Sequence, residues 1–305
     1  LTVSSSSGTT LASFAGNGSL LIGTSTISAT SAPSFGMSLE ASNITGALDF
    51  IKARTKSLRN FMIGNDHWAA NKVWYSPGVA AAGLWQNTAG TNAGTAALVS
   101  PTVTANSYTA LRRTTFASVV TTNNQQVGTR TAAEFFRGSG STAIPEVNNR
   151  IGGFFYYSRF GFTTWTNGND LFVGLSSCTT ACITGTTTLT NLPNTIGLGV
   201  ERGNNNLVFL TNDASGVIST TTLGTTPATN QYFDFYMYQA PNDHTVYYRL
   251  DNASTSAIIA TGSVSTNLPA TTTLMTAQAV MGNGLNTTVG SATLGIQRIY
   301  IETEK

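Results

Sequence analysis

Residues 151–175 read Ile151-Gly152-Gly153-Phe154-Phe155-Tyr156-Tyr157-Ser158-Arg159-Phe160-Gly161-Phe162, then Thr163-Thr164-Trp165-Thr166-Asn167-Gly168-Asn169-Asp170, then Leu171-Phe172-Val173-Gly174-Leu175. The first run sets Phe154, Tyr156, Phe160 and Phe162 on one side of the chain and Phe155, Tyr157 and Arg159 on the other. A period of two fits this pattern and a period of 3.6 does not, so the run predicts a buried strand. Asn167-Gly168-Asn169-Asp170 supplies residues that tolerate positive φ, and an apolar run follows at once. The expectation is a hairpin inside a sandwich core.

The composition sets the outer bounds. At 305 residues, with roughly 150 residues per domain as the usual size, two regions are expected. Only 9% of residues are Asp, Glu, Lys or Arg, against about 25% in an ordinary soluble domain. So few charges favour association, and the expectation is a protein that lives in an assembly of its own copies. Disorder is excluded by 41% hydrophobic residues and 15 Phe, ample for a core. A net charge of +2 with scattered basic residues leaves no footprint for nucleic acid. The cations between Lys52 and Arg59 read as a solvated face or a subunit contact. No apolar run approaches the roughly 20 residues of a membrane span, so no membrane insertion is expected. The start at Leu1 shows no secretory signal and, lacking Met, reads as a processed or truncated product.

Cysteine chemistry is sparse. Cys178 and Cys182 stand as Cys-Thr-Thr-Ala-Cys, which reads as free thiols or a local bridge. Half a zinc site would need two further ligands, and the two histidines, His67 and His244, each stand alone. No metal and no cofactor is expected. Asp66 beside His67 is the nearest thing to an acid/base pair, and a turn Asp next to an interfacial His explains it.

Along the chain, residues 1–34 are Ser/Thr/Gly-rich with small apolar patches such as Leu20-Leu21-Ile22, stable if several chains wind together. Met37 to Leu58 reads as strand or helix, leaning to strand. Residues 86–110 turn Ala/Thr/Asn/Gly-rich, which puts a domain border near 105. Residues 1–105 would be an extended β-rich shaft or an oligomerisation and attachment region, and 106–305 a sandwich. Beyond the border, Ile196–Val200 and Leu207–Leu210 flank Arg202-Gly203-Asn204-Asn205-Asn206 as a hairpin. Tyr232 to Tyr238 puts Phe233, Phe235 and Met237 inward and Tyr232, Asp234, Tyr236 and Tyr238 toward a wet or contacting face. Val246, Tyr248 and Leu250 form another core row, and Leu294 to Ile301 the final strand. Short strands separated by Gly/Asn/Asp/Pro turns, with no convincing amphipathic helix, predict an all-β antiparallel sandwich of the jelly-roll, lectin-like sort.

A set of short motifs follows in one order. It runs through Arg112-Arg113, Phe135-Phe136-Arg137-Gly138, Gly152-Gly153-Phe154-Phe155, Arg159-Phe160-Gly161, Leu171–Leu175, Leu192-Pro193-Asn194 and Asn206-Leu207. It continues through Asn212-Asp213, Pro241-Asn242, Tyr247-Tyr248, Asn267-Leu268-Pro269 and Asn283-Gly284 to Ile299-Tyr300-Ile301-Glu302-Thr303. In this order residues 108–305 resemble the C-terminal region of tail fibre and receptor-binding proteins of tailed bacteriophages. Residues 16–23 and 47–54 look like fibre-shaft segments. The resemblance implies a homotrimeric virion component, assembled in the bacterial cytoplasm and held to other tail proteins by its N-terminal region. Its lectin-like domain would touch a host surface glycan or envelope protein during adsorption. The long Cys178–Thr190 loop and the Lys305 end depart from the pattern and leave the ligand open.

Catalysis is not expected. Some related tailspikes are glycan depolymerases, which need two carboxylates facing a cleft. Of 13 acidic residues, Asp170, Glu201, Asp213, Asp243 and Asp251 on strand-end loops each sit where a turn accounts for them. No serine-hydrolase elbow, phosphate-binding loop or dinucleotide loop is present. For binding, sugars favour an aromatic face beside groups that make paired hydrogen bonds. The candidate receptor-binding residues are Trp165, Asn167, Asn169 and Asp170, with Asn204, Asn205 and Asn206 as a second cluster. The plainer alternatives are a Trp that caps the core and a tight turn. Depolymerase and virion decoration or collar protein stand as the alternative functions.

Overall fold

The computed structural model describes residues 2–4, 10–14, 20–22, 72–75, 77, 85–89, 96–102, 106–118, 126–131, 135–136, 153–179, 182–183, 189, 192–202, 205–216, 218–239, 244–271, 273–283 and 292–303. Lys52 to Arg59, Met37 to Leu58, Asp66, His67 and Asn204 lie outside them. The chain forms two compact units, Leu1–Leu48 and Asp49–Lys305. In the first, β1 (Thr2–Ser4), β2 (Thr10–Phe14) and β3 (Leu20–Ile22) make a three-stranded antiparallel sheet.

The second unit is built from two antiparallel sheets. The first sheet runs β17 (Ala257–Val264), β16 (Val246–Asn252), β15 (Tyr232–Gln239), β10 (Phe154–Thr164), β19 (Thr293–Thr303), β7 (Arg113–Ala117) and β6 (Ala96–Val99). β4 (Lys72–Tyr75) also pairs with β19. The second sheet runs β14 (Ile218–Thr222), β13 (Val208–Asn212), β12 (Thr195–Val200), β11 (Asp170–Ser176), β18 (Leu274–Gly282), β8 (Gln126–Thr131) and β5 (Trp85–Ala89). β9 (Phe135–Phe136) pairs with β18. Among the described residues there is no α-helix.

Two expectations need correction. β10 and β11 do not form a hairpin. Both edges of β10 are taken by β15 and β19, and both edges of β11 by β12 and β18. The turn is where it was read, with Gly168 at φ 97°, but it carries the chain from one sheet to the other. A turn signal between two apolar runs does not say whether the runs share a sheet. The sandwich also begins upstream of residue 106, because β4, β5 and β6 are strands of its sheets. A composition shift toward Ala, Thr and Asn marks no boundary when those residues still complete edge ladders.

Alternation places the core as expected. Phe154, Tyr156, Phe160 and Phe162 of β10, Phe233, Phe235 and Met237 of β15, and Val246, Tyr248 and Leu250 of β16 point inward. They meet Leu171, Val173 and Leu175 of β11, Ile196, Leu198 and Val200 of β12, and Met275, Ala277, Ala279 and Met281 of β18. Phe209 of the second sheet stacks on Tyr248 of the first with centroids 4.0 Å apart, so the two layers interdigitate. Burying each such side chain stabilises by about 1.5–3 kcal/mol.

β11 is buried on both faces, which a two-layer sandwich alone does not explain. Its outward Phe172 joins Cys182, Ile183, Leu189, Leu192, Val208, Leu210 and Val280 in a second apolar cluster. The β11–β12 connection thus covers the outer side of the second sheet. Cys178 and Cys182 are disulfide-bonded, so the local bridge is the state found. Gln126 Oε1 accepts from the backbone N–H groups of Cys182 and Ile183 at 2.6 and 2.8 Å. Gly199 makes the cover possible: a Cβ there would stand 2.4 Å from Leu189 and 2.7 Å from Leu210.

Candidate functional site: the outer face of the first sheet

The second sheet hides its outer face under the disulfide loop, while the first displays aromatic and charged side chains. The face follows from register. Opposite partners across β10 and β15 are Phe155 with Tyr238, Tyr157 with Tyr236, Arg159 with Asp234, and Gly161 with Tyr232. β16 continues the ranks with Tyr247, Arg249 and Asp251. β19 continues them on the other side with Glu302, Tyr300, Arg298 and Gly295. Successive ranks lie two residues, about 7 Å, apart along the strands.

At one end, the fully buried Tyr108 lies against the glycines Gly161 and Gly295, where an added Cβ would meet its ring or hydroxyl. Arg113 stacks over Tyr108 at 4.5 Å, and Tyr108 contacts Tyr232 at 5.8 Å. The next rank is ionic. Arg159 donates through Nε and Nη2 to the two carboxylate oxygens of Asp234, both at 2.6 Å. Tyr157 donates its hydroxyl to Asp234 Oδ1 at 2.8 Å. Asp251, directly opposite Asp234, accepts from Arg249 Nε at 2.8 and 3.0 Å. Then comes the aromatic rank: Tyr157 stacks on Tyr236 at 5.0 Å and Phe155 contacts Tyr300 at 6.1 Å. Tyr300 donates to Glu302 at 2.6 Å.

Phe155, Tyr157, Tyr236, Tyr247, Tyr300, Arg159 and Arg249 are all half-buried. They are held in place yet reachable. Burial, followed by the charge of Asp234, pushes the Tyr236 phenol up to about 12 and raises Tyr157 further. Both therefore stay neutral near pH 7, able to stack and to hydrogen-bond. The hydrogen bond to Asp234 raises the Arg159 guanidinium above its usual value. Burial raises Asp251 against the opposing pull of Arg249. Each carboxylate thus already carries a guanidinium partner, which suits fixed recognition better than proton transfer.

The residues singled out from sequence lie at the end of the sandwich where β10 passes to β11. Asp170 is held to a residue of the β12–β13 connection: it accepts from the Arg202 backbone N–H at 2.7 Å and from its Nη2 at 2.8 Å. Asn206 accepts from Thr226. Asp170 and Asn169 are fully buried, and Asn169 donates to the Thr166 carbonyl. Trp165 packs on Phe162 at 4.7 Å against the main core, as the capping reading has it. Asn167 is exposed, and Asn205 and Asn206 are half-buried. This end therefore offers amides to solvent, while Trp165 serves packing.

Sequence reasoning named the outward row of β15 but did not select it as a site. Its complement on β10, Phe155/Tyr157/Arg159, was visible as the second face of the opening stretch. The missing step was that the two strands are neighbours, although 77 residues separate Tyr157 from Asp234.

No protein-family model and no curated protein sequence matches the chain. Among solved structures, the chain is similar to a protein of unknown function from Shewanella oneidensis MR-1. That match has TM-score 0.51 and 12% identity and covers 77% of this chain and 87% of that one. It is also similar to peanut lectin, in a structure with a nine-residue peptide. Here the TM-score is 0.52 and the identity 8%, over 77% of this chain and 97% of the lectin. At these identities the likeness establishes the fold, a lectin-type sandwich.

Proposed function

We propose that this chain binds carbohydrate on the outer face of its first sheet, as the cell-surface-binding part of a bacteriophage tail fibre. The observation that carries the first half is the Tyr157–Tyr236 stack set beside the Arg159–Asp234 fork. A pyranose ring presents apolar C–H patches and vicinal hydroxyls. Neutral phenol rings pack on the former, and prealigned guanidinium groups donate to the latter while carboxylates accept from them, without reorganising. The lectin-type fold is consistent with that use, but fold alone does not assign it. The setting on a virion rests on the ordered motifs of residues 108–305 and on the low charge.

The chain acts by holding its ligand rather than cleaving it, since Asp234 and Asp251 are each engaged by an arginine. The second reading, a glycan depolymerase, draws on the same two carboxylates facing each other in register. Incubating the protein with host envelope and measuring both retention and released sugar separates the two. Retention without soluble fragments supports a binder. Fragments that disappear in Asp234→Asn support a depolymerase, and neither retention nor fragments would overturn both.

A further inference from the structure

The ionic rank of the first sheet is segregated by sign. Arg159 of β10 stands opposite Asp234 of β15 on one side and opposite Arg298 of β19 on the other. Asp251 of β16 continues the acidic side. Arg113 of β7, one residue past the Thr114–Ile296 pair, continues the basic side. Arginines thus follow one another on three neighbouring strands, and like charges opposite each other destabilise a sheet. The two aspartates do not offset all of this, because Asp234 is forked by Arg159 and Asp251 is held by Arg249 of the next rank. Arg113 directs its Nη1 to the neutral carbonyls of Tyr108 and Leu111.

β19 also breaks register at this point. Arg159 pairs with Arg298 while Phe160 pairs with Ile296, so Gln297 is an extra residue, a β-bulge. Ile296 and Ile299 are both fully buried, which turns Gln297 and Arg298 outward together instead of alternately. Arg298 is exposed and Gln297 half-buried. The Gln297 Nε2 group and the Nε of the nearly buried Arg113 are donors that meet no acceptor among the described residues. Donors so placed beside guanidinium groups call for an acceptor that carries negative charge.

We propose that the ligand of this face is an acidic glycan, whose carboxylate or ester sulfate lodges at the β19 bulge against Arg298 and Gln297 while its ring lies on the Tyr157–Tyr236 stack. This adds the charge of the ligand to the sheet-face site proposed above, and rests on that site. The bulge and the tyrosine rank lie about 7 Å apart along the strands, a span that one substituted pyranose bridges. Arginine suits the role because its planar donors meet two oxygens of one acid group at once. Arg159 keeps Asp234 and contributes its field to the same spot.

The test is a glycan array of uronate-bearing, sulfate-bearing and neutral glycans, probed with the full chain, with Arg298→Gln, and with Arg130→Gln as a charge control on β8 of the second sheet. The expected result is that the retained glycans carry an acid group, and the acidic set retained identifies it as carboxylate or sulfate. Arg298→Gln should hold them about tenfold more weakly at an unchanged unfolding midpoint, and Arg130→Gln should match the wild type. Neutral glycans held as well as acidic ones, or a folded Arg298→Gln with undiminished retention, overturn the acidic ligand and leave the sheet-face site standing. Retention of no glycan by any of the three overturns that site and this proposal with it. Inorganic sulfate, titrated at constant ionic strength, probes the bulge without any sugar. Its general stabilising action is common to both proteins, so a larger rise in unfolding midpoint for wild type than for Arg298→Gln supports the anion site, and equal rises contradict it.

Discussion

Tyr157 of β10 and Tyr236 of β15 stack across neighbouring strands with centroids 5.0 Å apart and planes inclined by 29°. Both are half-buried on the outer side, so the stack orders the face more than it holds the sandwich. An aromatic pair contributes about 0.5–1.5 kcal/mol beyond its burial. Tyr157→Ala and Tyr236→Ala should each lower the unfolding free energy by roughly that amount plus some lost burial. Glycan affinity should fall by about tenfold, equivalent to about 1.4 kcal/mol. Chemical denaturation and glycan titration of the same preparations check both.

Arg159 and Asp234 set up a contrast between the two ways of breaking a pair. Asp234 is nearly buried and Arg159 is a third exposed. Removing the cation by Arg159→Ala leaves the nearly buried carboxylate without its guanidinium and with the Tyr157 hydroxyl still donating to it, and Asp234→Asn leaves a guanidinium that can turn to water. The first should cost more, on the order of 2–3 kcal/mol, and the second about 1 kcal/mol. Denaturant midpoints of the two variants give the order directly.

Asp170 gives a pH dependence with a definite sign. Burial, against the opposing hydrogen bonds of Arg202, pushes its carboxyl up to about 6. The native state then holds a proton between roughly pH 4 and 6 that the unfolded chain has lost. The stability this group contributes therefore grows as pH falls through 6, levels off below 4, and is absent at neutral pH. The span is on the order of 3 kcal/mol. Denaturation at pH 7, 5 and 4, read as wild type minus Asp170→Asn, should show that rise; a flat difference would refute it.

The cover over the second sheet should respond to two separate lesions. Opening the Cys178–Cys182 bridge by Cys182→Ser should cost about 2 kcal/mol, because the loop it closes is short. Gln126→Ala leaves the Cys182 and Ile183 amides without their acceptor and should cost about 1–3 kcal/mol. The two sites share one loop, so a double-mutant cycle should show costs that do not add.

How much of this was legible in the sequence depends on the physics each feature obeys. Alternation is local, so the inward rows at Phe154–Phe162, Phe233–Met237 and Val246–Leu250 could be read directly. Strand partnership is not local. Asn167-Gly168 looks the same in a hairpin as in a corner between sheets, and only the competition for the edges of β10 decided it. Ile183, Leu189 and Leu192 are not spaced by twos, because they cover the outer side of a sheet. At the candidate site, Asp170 and Asn169 resembled exposed turn residues, yet they are the buried ends of a clasp to Arg202 and Thr166. The tyrosines of β15 showed their face in the sequence, and the charged partners that make the face specific came from β10, β16 and β19.

The most direct measurement is glycan-array binding of three proteins side by side: wild type, Tyr157→Ala/Tyr236→Ala on the sheet face, and Asn167→Ala/Asn206→Ala at the loop end. The account predicts that wild type and the loop variant retain the same class of glycan, while the sheet-face variant loses it and keeps a cooperative unfolding transition. Undiminished binding by a folded Tyr157→Ala/Tyr236→Ala protein, or loss confined to the loop variant, would contradict it.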